Sequence, residues 1–183
     1  ADSVITGNWG SDLALLIKAA NDAGLNNVKF YTYYAIATGA PTAMGAAAAD
    51  KVYMVGYGHL NLPGPLDRIT KGYKAKFNDD MYTGSLYSGL TMLDQAFLRA
   101  KTTDPAKVAA TMEGMKFNSL NGEVEMRKTD HQLQQGLFIS RWEKAGGKYP
   151  MDSENTGYTF VPVKYYEPYV ASTPTSCQMK RPS

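Results

Sequence analysis

The chain has 183 residues, 44% of them apolar and 20% charged, and its 19 basic and 17 acidic side chains give a formal net charge of +2. This is an ordinary globular composition, with enough chain for one domain or two small lobes. No basic run exceeds a pair, which removes the footprint of a nucleic-acid partner, and no apolar run reaches the ~18 residues of a membrane-spanning helix.

Val4 and Ile5 form the core of a short first strand, expected to be buried, and Gly7 to Gly10 make a turn after it. Ser11 is placed to cap a helix through about Ala23 that carries Asp12 in its first turn and Leu13, Leu16, Ile17 and Ala20 on one face; Gly24 ends it. Val28 to Tyr34 is a second strand, rich in aromatic residues, followed by a short Ala-rich helix from about Pro41 to Ala49 and a third strand over Lys51–Gly56. Helices of this length between strands imply right-handed crossovers and a parallel sheet covered on both faces.

Tyr57 to Pro65 has no periodicity and three Gly or Pro residues near its end, the pattern of a linker or hinge. Three helices are expected beyond it. The first covers Asp67–Phe77, with Ile69, Tyr73 and Phe77 four apart; the second covers about Thr83–Ala100 and buries Leu86, Leu90, Leu93 and Phe97. The third is capped by Asp104 and buries Val108, Ala109, Met112 and Met115. They need a sheet to pack on, yet Gly122–Met126 and Leu137–Trp142 supply at best a hairpin-like pair. Tyr158 to Tyr166 alternates apolar and polar residues around Pro162, as an edge strand does, and a polar tail follows Pro168. The tail holds the single Cys177, either a free thiol or half of a bridge to something outside this chain.

Few sites for chemistry are marked. His59 and His131 are the only histidines and neither has a His or Cys near it, so no metal site is indicated, since zinc needs about three or four ligands at recognisable spacing. There is no Gly-x-Ser-x-Gly elbow and no P-loop, and Gly7-Asn-Trp-Gly10 lacks the third glycine of a dinucleotide fingerprint. Asp130-His131 has the look of a catalytic pair, but in a turn entering a strand such a pair more often orients a loop by hydrogen bonds. No cofactor and no enzymatic activity are expected.

The strand ends are more informative. Asn8, Trp9, Tyr33, Tyr34, Tyr57 and His59 fall at or just past the carboxyl ends of three successive strands, the edge on which open α/β sheets bind ligands. Any one of them could simply pack on a neighbour. As a set they would line a pocket for a small, partly apolar molecule with a polar handle, and thirteen Tyr against six Phe suits a recognition surface.

Several stretches together resemble the branched-chain amino-acid-type (Leu/Ile/Val-binding-like) solute-binding proteins of ABC transporters. They are Ala1-Asp-Ser-Val-Ile-Thr-Gly-Asn-Trp-Gly-Ser-Asp-Leu13, Lys18-Ala-Ala20, Lys29-Phe-Tyr-Thr-Tyr-Tyr34, Thr129-Asp-His-Gln-Leu-Gln-Gln135, and the tail with Pro174 and Lys180-Arg-Pro182. The resemblance implies an α/β, two-lobed type I periplasmic-binding fold of parallel sheets flanked by helices, represented here by its C-terminal half. It implies that residues 1–58 are part of lobe two, 59–64 a hinge crossover, 65–148 part of lobe one, 149–155 a second crossover, and 156–183 the return segment with the tail. The implied partners are a small-molecule ligand, a membrane permease and the missing N-terminal half of the same protein, or a separate polypeptide in its place. The implied location is periplasmic; the N-terminus shows no leader pattern, so an export signal would lie outside this chain. Trp9 matches the family's aromatic wall. Tyr33 and Tyr34 match the place where the family typically carries an acidic residue for the ligand's ammonium group, so a carboxylic acid or amide without that group would suit them at least as well as an amino acid. A ligand-sensing regulator built on the same fold is the alternative reading.

Overall fold

The computed structural model describes residues 1–36, 39–58, 60–82, 84–120 and 122–181. The chain divides into two compact units, Ala1–Tyr82 with Leu137–Tyr165, and Thr83–Gly136 with Tyr166–Ser183.

The first unit is built on strands β1 (Ser3–Ile5), β2 (Lys29–Tyr33), β3 (Val52–Gly56), β7 (Leu137–Lys144) and β8 (Tyr158–Tyr166), in that spatial order. As expected, β1, β2 and β3 run parallel, with Val4 opposite Phe30 and Phe30 opposite Val52. On the other side of β3, β7 is antiparallel to it, with Met54 opposite Ser140. The expected edge strand, β8, is the last in the order.

Strand alternation decides which side chains make the core. Phe30, Thr32, Val52 and Met54 point to one face, where α1 (Gly10–Asp22) delivers Leu13, Ile17 and Ala20. On the same side are Met44 of α2 (Ala40–Met44) and Ala48 of the 3-10 turn Ala46–Ala48. The expected single Ala-rich helix is thus two pieces, broken at Gly45, whose φ of 44° and ψ of −148° suit only glycine. Trp142 and Phe160 complete the cluster, both essentially without solvent exposure.

Three expectations for this unit fail. The sheet is not covered on both faces: Tyr31, Tyr33 and Val55, which alternate with the core residues, are exposed, with Tyr31 stacked on Tyr53 at 5.0 Å. Ile5 is exposed as well, because β1 is the other edge strand and Ile5 lies on the uncovered side beside Tyr31. Ser11 does not cap α1: the N-cap is Trp9, without a side-chain cap, and the Asn8 amide reaches Asp12.

Helix α3 (Pro65–Phe77) also belongs to this unit. It starts at the proline that suits a first helical position and buries Leu66 and Thr70, while Phe77 stays exposed against Tyr73. Its Lys74 sits between Asp80 and Asp152 at 2.9 and 3.0 Å.

The second unit holds α4 (Gly84–Ala100), α5 (Pro105–Met112), the antiparallel strands β4 (Lys116–Ser119), β5 (Gly122–Met126) and β6 (Leu133–Gln134), and the short α6 (Pro168–Ala171). The expected pairing of 122–126 with 137–142 does not occur, since β5 lies between β4 and β6 while β7 joins the other sheet. Asp104 caps α5 as expected, accepting from the Lys107 amide at 2.9 Å. The core is Met92, Ala96, Val108, Met115, Phe117 and Val124, with Leu93, Met112 and Met126 against it. The stripe expected to be buried on α4 divides: Leu93 packs against this core, while Leu86 and Leu90 are more than half exposed and Phe97 also faces outward. The α4 face that meets α5 and the small sheet is the one carrying Met92, Leu93 and Ala96, so Leu86, Leu90 and Phe97 stay uncovered among the described residues.

Candidate functional site

The strand ends of the first unit bring Asn8, Tyr33, Tyr34 and Tyr57 to one sheet edge. After β1 the chain turns at Gly7, and Asn8 is held by its neighbours: its amide nitrogen donates to Thr6 Oγ1 at 3.2 Å, and its side chain contacts the Thr6 hydroxyl and Asp12. From the next strand, buried Thr32 donates its hydroxyl to the Asn8 carbonyl oxygen at 2.8 Å. That bond fixes the loop that presents Trp9, which stands 58% exposed at the start of α1. No local pattern marked Thr32, whose only signal is its inward position between Tyr31 and Tyr33.

Tyr33 ends β2 on the exposed face. Tyr34 follows with φ 55°, a left-handed conformation that a bulky aromatic residue adopts only when its surroundings impose it. The kink places the Tyr34 ring between Tyr33 and Tyr57, with centroids 5.9 Å from each, within the range of favourable aromatic pairing. The Tyr34 hydroxyl donates to the Tyr82 carbonyl oxygen at 3.0 Å, so its proton is committed and its oxygen remains an acceptor. Burial pushes the Tyr34 phenol well above its usual value, and a hydrogen bond with Tyr57 and the nearness of Tyr33 add to the shift. His59 lies outside the described residues.

The sequence pattern gave no hint of Tyr82 and Glu154, which support this cluster. The Tyr82 hydroxyl donates to Glu154 Oε1 at 3.2 Å, and burial followed by the charge of Glu154 raises that phenol too. Glu154 enters from the loop before β8, 72 residues after Tyr82, so nothing in local spacing could have found it.

Asp130 and His131 do not act on each other. Asp130 is clamped by Arg127, whose guanidinium holds its carboxyl well below the usual carboxylate range, and His131 Nε2 lies 3.0 Å from Glu113 Oε1. Arg127 also donates to Ser172 Oγ and the Thr173 carbonyl at 2.8 and 2.6 Å, and Arg181 donates to Glu113 at 2.6 Å. Arg127 and Glu113, the partners of Asp130 and His131, are thus the residues that hold the tail.

Comparison with known proteins adds an independent line. The family model described as Periplasmic binding protein matches residues 1–148. A Leu/Ile/Val-binding protein homolog 4 from Brucella abortus (strain 2308) is 28% identical over 197 residues, taking in 99% of this chain and 44% of that protein. Its counterpart in Brucella melitensis biotype 1 is 30% identical over 201 residues, with the same coverage. Among solved structures, the leucine-, isoleucine-, valine-, threonine- and alanine-binding protein from Brucella ovis in its closed conformation superposes with a TM-score of 0.83 at 27% identity, over 100% of this chain and 48% of that one. A solute-binding protein of an ABC transporter from Rhodopseudomonas palustris BisB5, in complex with 3,4-dihydroxybenzoic acid, shares the fold with a TM-score of 0.72 at 16% identity, over 91% of this chain and 45% of that one. The chain thus spans a little under half the length of the relatives it matches.

Proposed function

Because the chain belongs to the periplasmic binding protein family, we propose that it is the C-terminal part of an extracytoplasmic solute-binding subunit of an ABC importer, with no catalytic role. In this reading it binds a small amino acid or an aromatic or aliphatic carboxylate on the edge formed by Asn8, Trp9, Tyr33, Tyr34, Tyr57 and His59. The facing wall of the cleft comes from the part of the protein that precedes residue 1, and the loaded protein delivers its ligand to a membrane permease. The lobe segments 1–58, 65–148 and 156–183, with crossovers at 59–64 and 149–155, belong to the same proposal. Closure on the ligand shifts an open-to-closed equilibrium by the ligand's differential affinity for the two states.

The observation that carries the reading is the tyrosine row at the ends of parallel strands, with Tyr34 held in a left-handed conformation between Tyr33 and Tyr57. Its chemistry narrows the ligand. A neutral phenol whose proton is already given to Tyr82 offers an acceptor and a ring face, but no charge for a buried ammonium ion. Aromatic acids such as 4-hydroxybenzoate meet those terms directly; an amino acid needs its counter-charge from elsewhere in the cleft.

A thermal-shift panel on the longest chain the gene encodes tests this, with leucine, isoleucine, valine, phenylalanine, 4-hydroxybenzoate and 3,4-dihydroxybenzoate. A ligand at 100 times its Kd adds about 2.7 kcal/mol of stability. Stabilisation by the benzoates alone supports a site in which tyrosines replace the acidic ammonium partner, whereas stabilisation by leucine or valine supports amino-acid uptake. Trp9→Ala keeps the melting temperature of the free protein and loses the shift; a full shift in that variant removes Trp9 from the site.

A further inference from the structure

Glu154 is the most heavily committed carboxylate in the first unit. Its Oε1 accepts from the Gly39 amide at 2.8 Å and the Tyr82 hydroxyl at 3.2 Å, and its Oε2 accepts from the Thr42 amide at 2.9 Å and the Thr42 hydroxyl at 2.6 Å. Its own amide donates to Asp80 Oδ2 at 2.7 Å, and Asp80 is in turn paired with Lys74. Four donors occupy the roughly four lone-pair sites of one carboxylate, a set that only the ionised form can accept in full. The backbone is bent to deliver it: Glu154 and Asn155 are consecutive left-handed residues, with φ of 50° and 56°. Non-glycine residues keep such angles only where the surroundings over-determine them.

The three segments so joined are the loop from β2 into α2, the stretch after α3 that ends in Tyr82, and the loop before β8. Tyr82 is one step from the strand-end cluster, because its carbonyl takes the Tyr34 hydroxyl. We propose that Glu154 is a positioning residue for the ligand wall: by fixing Tyr82 it sets the direction of the Tyr34 hydroxyl and keeps the Tyr34 ring between Tyr33 and Tyr57. The proposal rests on the reading of that tyrosine row as the binding surface. It adds a specificity determinant that never touches the ligand.

Glutamine at this position turns an NH2 toward donors. The Tyr82 and Thr42 hydroxyls can rotate to accept from it, but the Gly39 and Thr42 amides cannot, so Glu154→Gln loosens the latch on at least one side. Tyr82→Phe is the more selective change: it removes the link to Glu154 while leaving the Gly39 and Thr42 bonds and the Tyr82 carbonyl in place.

The test is calorimetric titration of the longest encoded chain with 4-hydroxybenzoate and with leucine, in parallel with thermal melts. Tyr82→Phe is expected to melt close to wild type yet bind about tenfold more weakly, and Glu154→Gln to lose at least as much. The double variant should be no weaker than Glu154→Gln alone, since both act through one link. Unchanged affinity in a folded Tyr82→Phe overturns the proposal, as does a double variant that loses the sum of the two effects. Tyr34→Phe and Trp9→Ala separate the two readings. If they bind normally, the strand-end site is wrong; if they lose binding while Tyr82→Phe and Glu154→Gln keep it, the site stands and the positioning role falls. A ligand-free measurement covers a protein that binds neither probe: in spectra of tyrosine-labelled protein, with Tyr34 assigned through Tyr34→Phe, Glu154→Gln must move the Tyr34 ring resonance. An unmoved resonance in a folded variant overturns the proposal.

Discussion

The hydroxyl of Thr32 and the carbonyl oxygen of Asn8, 2.8 Å apart, tie the loop after β1 to the interior of β2. Thr32 is 4% exposed and Asn8 half-buried, so the bond lies at the margin of the core. Thr32→Val keeps the shape and leaves the Asn8 carbonyl without that donor, at a cost of about 1–3 kcal/mol. Urea denaturation checks this through a lowered midpoint at unchanged slope. A midpoint equal to wild type means that the loop is held by Thr6 and Asp12 alone.

Trp142 has no exposed surface; it contacts the Tyr158 and Phe160 rings and donates from Nε1 to the Gly45 carbonyl oxygen at 2.8 Å. Trp142→Ala should destabilise the chain by about 3–5 kcal/mol through lost burial and a residual cavity. Trp142→Phe keeps an aromatic ring but strands the Gly45 carbonyl, and should fall between the wild type and the alanine variant in the same denaturation experiment. A phenylalanine variant as stable as wild type would show that the bond to Gly45 adds nothing.

On α4 the outward stripe and the inward face make opposite predictions. Leu86→Ala and Leu90→Ala in this 183-residue chain should each change stability by no more than about 0.5 kcal/mol, as surface substitutions do. Met92→Ala, 3% exposed, should cost about 2–5 kcal/mol. Equal costs from the two sets would mean that the stripe is covered in solution, and light scattering on the same samples would show whether a second copy covers it.

Acid sensitivity has a direction as well. Burial raises the Glu154 carboxyl, but the bonds from Thr42, Gly39 and Tyr82 outweigh it and leave it below its usual value. Asp152 behaves alike, with the Gly157 amide and Lys74 prevailing over burial. A depressed folded value means that the stabilising contribution is fully present above the unfolded value, about 4.3 for Glu and 3.9 for Asp, and is lost as pH falls through the folded one. Stability should therefore drop as pH is lowered below about 4.3. Glu154→Gln should be less stable than wild type at pH 7 but should lose less on acidification; parallel pH profiles for the two proteins would refute the assignment.

Much of the first unit was legible because its signals are local. The aromatic richness of Val28 to Tyr34 and the apolar face of Leu13, Ile17 and Ala20 sufficed to place a helix between parallel strands, and the capping of α5 by Asp104 was readable from Asp-Pro alone. The errors share a cause, which is that periodicity identifies an apolar face without naming what covers it. Leu86, Leu90, Leu93 and Phe97 formed a sound amphipathic stripe, yet α4 turns inward a face that keeps only Leu93 of it, and β7 went to β3 instead of β5 because pairing across long separations leaves no local mark. The same limit hid the latch on the tyrosine row. Glu154 looked like any loop glutamate, and only its four donors from distant segments set it apart.

The antiparallel placement of β7 beside β3 carries a consequence for how the protein folds. Tyr53 pairs with Arg141, so one long side of β3 stays bare until a segment far along the chain, beyond the intervening helices and the small sheet, docks on it. Until then, Val52-Tyr-Met-Val55 presents an apolar strand with open hydrogen-bonding groups, the kind of edge that recruits neighbouring chains. Refolding yield should accordingly fall with protein concentration well before the stability of the finished fold becomes limiting.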